Sequence, residues 1–147
     1  MSAGAMFYAA DRGALDAAFA EQAIILPDDL ISYLDASAHN LTNTAHSPAP
    51  FDLMIGLDGV LAAAGYPAEF RYARLFDDAA SLRVERSDDL PLIGSISAAV
   101  VANIAVRARA EEPPSVTDPW EELALEELFR NVAAAAELGY ALVGVYA

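Results

Sequence analysis

Asp118-Pro119-Trp120-Glu121-Glu122-Leu123-Ala124-Leu125 begins a segment that runs on to Gly139-Tyr140-Ala141-Leu142-Val143-Gly144-Val145-Tyr146, and it sets a long helix directly before an apolar strand. Asp118 is an N-cap aspartate, Pro119 suits the first helical position, and Glu121 stands where its side chain can reach back to the cap. Leu125, Leu128, Phe129, Val132 and Ala136 recur at helical spacing and form the inward face. Glu121, Glu122, Glu126 and Glu127 lie near the positive end of the helix dipole. Gly139 stops the helix. The uninterrupted apolar run 140–146 then calls for a strand paired inside a sheet, beside a first strand at Ala5-Met6-Phe7-Tyr8-Ala9-Ala10.

The same signals extend outward through the chain. Asp11 offers a cap for a helix over Gly13 to Ala20, with Leu15, Ala18 and Phe19 on one face. Pro27 opens a helix through Leu30, Ile31 and Leu34, with Asp28 and Asp29 in its first turn. Ser37 to Pro50 is polar and reads as a loop. Phe51 to Gly65 reads as one helix with Gly65 at its end, although Asp58 interrupts the apolar face and Gly56 and Gly59 weaken it. A strand, a turn at Leu57-Asp58-Gly59 and a shorter helix compete with that reading. Pro67 could open a helix holding Phe70, Ala73 and Leu75. Leu82-Arg83-Val84-Glu85-Arg86 alternates like a half-buried strand, and Ser87 to Ser95, around Pro91 and Gly94, reads as a loop. Ser97 caps a helix carrying Val100, Val101, Ile104 and Ala108, which Glu111-Glu112-Pro113-Pro114 ends. The expected fold is α+β: one globular domain over residues 1–147, with several helices on a small sheet that includes the N-terminal and C-terminal strands.

Composition narrows the function classes. The chain has 22 acidic and 8 basic residues, no lysine, a net charge of −14 and 56% hydrophobic residues. A core-forming protein in a negative shell repels nucleic acid and anionic lipid and attracts basic protein surfaces. GC-rich coding and a functional role are competing accounts of arginine in place of lysine, and the surplus of acid is harder to ascribe to coding. Residues 1–70 hold nine acids and one base, 71–110 five and six, and 111–147 eight and one, so both ends are acidic and the middle is balanced. The absence of cysteine removes disulfides, thiolate zinc sites and cysteine nucleophiles. No apolar run reaches the roughly 18 residues of a membrane span, and Met1 to Ala10 lacks the basic segment of a secretion signal. A soluble cytoplasmic protein is expected.

Three blocks together resemble a family of small bacterial proteins of unknown function. One is Leu41-Thr42-Asn43 with Ser47-Pro48 and the helix from Asp52 to Gly65. Another is Asp88-Asp89-Leu90-Pro91-Leu92-Ile93-Gly94, leading into the helix after Ser97. The last is Phe129 to Tyr146, and Tyr8, Asp11 and Leu15 suit the same layout. The resemblance spans about two-thirds of the chain, and a longer polar insertion expected before Leu41 is missing. It implies a single α+β domain; its motifs are structural, carry no catalytic residues and assign no reaction.

No residue pattern announces chemistry. His39 and His46, flanked by Asp35 and Asp52, match no zinc-ligand spacing and read as loop histidines, so neither metal nor cofactor is expected. His46, Ser47 and Asp52 are neighbours in sequence, which is no sign of a catalytic triad. Gly56-Leu57-Asp58-Gly59 lacks the lysine and the strand–turn–helix context of a phosphate loop, and reads as a tight turn or a close helix crossing. Asp77-Asp78 and Asp88-Asp89, around Arg83 and Arg86, fit no calcium loop and read as solvated acids, some paired with the arginines.

The most suggestive group is Glu111, Glu112, Asp118, Trp120, Glu121 and Glu122, where the only tryptophan stands among carboxylates. An aromatic anchor ringed by acid suits a basic protein partner. The leading expectation is therefore a stoichiometric inhibitor, immunity-protein-like, covering the basic surface of a partner such as a nuclease-type toxin; an enzyme is the less favoured role. A nucleic-acid mimic belongs to the same physical class, and neither nucleic acid nor membrane is an expected partner. The second reading is a small enzyme or ligand-binding domain at the sheet edge near Tyr8, Arg71, Tyr72 and Tyr140, with arginine holding an anion. The third is a structural homodimer subunit.

Overall fold

A computed structural model of the chain describes residues 4–42, 50–82 and 90–147. Strands β1 (Ala5–Ala10), β2 (His39–Asn40), β3 (Leu92–Ile96) and β4 (Ala141–Tyr146) form one antiparallel sheet in the order β2-β1-β4-β3. The apolar first and last strands are neighbours, paired from Ala5 opposite Tyr146 to Ala10 opposite Ala141. Their continuous hydrophobicity has a simple cause: both sheet faces are covered, so neither set of alternating side chains meets water. Tyr8, Ala10, Ile93, Val143 and Val145 pack with Leu15, Leu30 and Leu34 from α1 (Arg12–Ala20) and α2 (Pro27–Ser37). Phe7, Ala9, Ile96 and Leu142 face the opposite layer. That layer is α3 (Phe51–Gly56), α4 (Asp58–Ala63), α5 (Tyr72–Phe76), α6 (Ala98–Ala110) and α7 (Pro119–Leu138). The α+β architecture read from the sequence is the one observed, and no helix among the described residues is long and apolar enough to cross a membrane.

Local chemistry places the long elements. Asp11 accepts from the Gly13 and Ala14 amides, Ser97 from Val100, and Asp118 from Trp120 and Glu121. Each cap satisfies donors that a helix start leaves without partners. No return bond from the Glu121 side chain to the cap forms among the described residues. Gly139 ends α7 in the left-handed conformation, with φ 71°.

Elsewhere the structure corrects the sequence reading. Residues 92–95, expected in a loop, belong to β3, an edge strand. Pro91 precedes the strand, where no ladder donor is needed, and Gly94 is required inside it. Gly94 of β3 and Gly144 of β4 are cross-strand partners beneath α5. A Cβ at Gly94 would overlap the Arg74 carbonyl, and one at Gly144 would stand 2.7 Å from the Leu75 Cβ and carbonyl oxygen. The two glycines let the helix backbone lie directly on the sheet. Leu82 closes a 3-10 turn (Ala79–Leu82), while the rest of the expected strand, 83–86, lies outside the described residues. The expected loop from Ser37 contains the end of α2 and the short strand β2.

The expected helix 51–65 is broken at Leu57 into α3 and α4. Neither Gly56 nor Gly59 has a neighbour within 4 Å of its would-be Cβ, so no close crossing requires them. Asp58 explains the interruption of the apolar face. Its carboxylate leaves α4 to accept from the Tyr72 amide at 2.6 Å and the Ala73 amide at 3.0 Å, capping α5 from a distance. Burial pushes the Asp58 carboxyl above the usual range, and these amides with nearby Arg71 only partly oppose that. Asp58→Ala is expected to destabilise the fold by about 1 kcal/mol, because two amide donors lose their acceptor. Urea unfolding measures this, and an unchanged midpoint would refute the capping role.

Two arginines fasten the α4–α5 connection. Arg71 donates to the carbonyls of Tyr66, Pro67 and Phe70. Arg107 donates to those of Ala64 and Gly65 and lies 3.8 Å over the Tyr66 ring. The connection is thus held by one side chain from its own end, Arg71, and one from α6, Arg107.

Candidate functional site

The acidic group divides by what each carboxylate is doing. Arg107 donates to Glu111 at 2.8 Å, and Asp118 is held by its capping bonds. Glu112 and Glu122 are exposed, Glu121 is half-buried, and none of the three has an ion-pair partner among the described residues. Glu112, Glu122 and Glu126 rim a cleft of about 360 Å³ walled by Pro113, Pro114, Val116 and Leu125. From residue 111 to 127 the sequence holds seven acids and no base. The prolines fix φ in the wall of this cleft and so limit its rearrangement.

Trp120 is 55% exposed and Leu123 46% exposed. Three residues apart on α7, they share its outer face, while Glu122 and Glu126 turn toward the neighbouring cleft. The first turns of α7 therefore present an uncovered apolar pair beside a carboxylate-rimmed groove. The sequence reading put Trp120 in the partner-binding group, gave Glu126 only as an acid near the start of the helix, and did not name Leu123. Their signal was present in the helical spacing: 120 with 123, and 122 with 126.

The alternative quartet is dispersed. Tyr8 lies in the α1–α2 layer, where burial raises its phenol pKa and its hydroxyl donates to Asp35 at 2.6 Å. Tyr72 lies in the opposite layer and donates to the Ala124 carbonyl at 3.0 Å, its pKa also raised by burial. The bonds of Arg71 to three loop carbonyls hold its guanidinium, and Tyr140 packs near the His39 ring at 5.9 Å. His46, Ser47, Asp88 and Asp89 lie outside the described residues, as do Arg83 and Arg86. Asp78 pairs with Arg74 at 3.2 Å.

One buried group sits apart from all of these. Asn131 in α7 is 1% exposed, and its Nδ2 has no hydrogen-bond partner among the described residues. Leaving a buried amide unpaired costs on the order of 1–3 kcal/mol, so Asn131→Leu, with the same branching and somewhat greater bulk, is expected to raise stability by about 1 kcal/mol. A lower melting temperature for the leucine variant would show that the amide is held after all.

Comparison with family models, with curated proteins and with solved structures finds no match to the chain.

Proposed function

We propose that the protein is an acidic, stoichiometric protein binder that covers a basic surface of its partner, in the manner of an immunity protein against a nuclease-type toxin. The observation that carries this reading is the exposed Trp120–Leu123 pair beside a groove rimmed by Glu112, Glu122 and Glu126. Exposed large aromatics are effective anchors because they bury much area while fixing few torsions. The surrounding carboxylates speed encounter with a cationic partner and reject anionic ones. A net charge of −14 extends that field over the whole molecule.

The test compares two immobilised proteins, the native chain and a Glu122→Lys/Glu126→Lys variant, in lysate from the source cells. The native chain should retain a basic protein at low ionic strength, lose it as salt rises, and retain about tenfold more of it than the variant. Failure of the native chain to retain any basic protein, or equal retention by the variant, would overturn the reading.

A further inference from the structure

We infer that a second site, at the opposite end of α6, binds a small molecule through a single oxyanion group, carboxylate or phosphate. A cleft of about 300 Å³ is lined there by Arg12, Ser81, Ser95, Ser97, Ala98 and Ala141. None of these is acidic, in a chain with 22 acids, and Arg12 is the only base in the first 70 residues. The volume lies at the small end of ligand pockets.

The polar groups are held in a fixed order. Ser81 donates its hydroxyl proton to the Asp78 carbonyl at 2.8 Å. The 3.0 Å contact between the Ser81 and Ser95 hydroxyls must then run from Ser95 to Ser81. Arg12 Nη1 donates to Ser95 at 3.4 Å, Nη2 to the Ser81 carbonyl at 2.6 Å, and Nε to Asp16 at 2.9 Å. A guanidinium has five N–H donors, so two remain for a ligand. The Ser97 oxygen accepts from the Val100 amide, which leaves its hydroxyl proton available as well. A positioned guanidinium with a spare hydroxyl matches the acceptors of a carboxylate or phosphate. The neighbouring cleft across Ser95 and Ser97 includes Glu69 and Asp78 beside Arg74, and so repels the same ligand. The site is independent of the proposed partner face, which lies beyond the other end of the 13-residue α6, about 20 Å along the helix.

The test titrates the full chain with inorganic phosphate and, separately, with acetate, at constant ionic strength, reading backbone amide and arginine Nε chemical shifts by NMR. Saturable shifts at Arg12, Ser95, Ser97 and Ala98 are expected with at least one anion, and which anion saturates first tells phosphate from carboxylate preference. Ala98→Glu places a competing carboxylate in the cleft, at a helix start where acid is tolerated, so the variant keeps its fold. It should weaken binding at least tenfold, whereas Arg130→Gln, which is not among the lining residues, should change nothing. Shifts that do not saturate, that scatter over the chain, or that persist in folded Ala98→Glu would overturn the inference.

Discussion

Gly94→Ala is expected to cost at least about 3 kcal/mol, among the largest effects of any single methyl in this protein. The three atoms nearest the added Cβ are all α5 backbone: the Arg74 carbonyl oxygen in overlap, the Arg74 carbonyl carbon at 2.8 Å and the Leu75 carbonyl carbon at 2.9 Å. Backbone cannot turn aside as a side chain can. Relief would require lifting α5 from the sheet, and with it Leu75, Phe76 and Tyr72 from the core. The melting temperature should fall by about 10 °C at this chain length. Gly59→Ala supplies the opposite sign. It adds the same methyl inside α4, where nothing lies within 4 Å, and should stabilise by up to about 1 kcal/mol through helix propensity. Equal effects at the two positions would mean that α5 does not rest on the sheet through this glycine pair.

Trp120→Ala should leave stability within about 0.5 kcal/mol of the native chain and weaken the partner complex by about 2 kcal/mol or more, roughly 30-fold. At 55% exposure the ring contributes little to the fold, and its backbone amide keeps the Asp118 cap whatever the side chain. Calorimetry with the captured basic protein measures the loss. Leu138→Ala is the control, an exposed apolar residue at the far end of the same helix, and it should not alter affinity. A Trp120→Ala protein that binds as tightly as the native one would remove the anchor from the proposal.

Parts of the candidate face were legible before the fold was known, because its signals are local. Acid at a helix start, a proline pair and a lone tryptophan are features of adjacent residues. Which carboxylates remain free was not legible. Glu111 is engaged by an arginine one helical turn away, and Asp118 by amides, while Glu112, Glu122 and Glu126 meet around a groove formed where the connection folds back on α7. What the arginines bind was not legible for a related reason. Arg71 binds loop carbonyls, and the guanidinium that reaches a polar cleft belongs to Arg12, two of whose three bonding partners are 69 and 83 residues away.

By itself the sequence determined the class, the long helices with their caps, and the pairing of the first and last strands. Those follow from periodicity and from donors satisfied within a few residues, which a chain carries wherever it folds. Tertiary structure alone decided that Gly94 lies in a strand, that Asp58 caps a helix 14 residues away, and that Trp120 faces water. Each depends on a backbone or a surface brought close by packing, and local preference holds no information about a neighbour that arrives from another part of the chain.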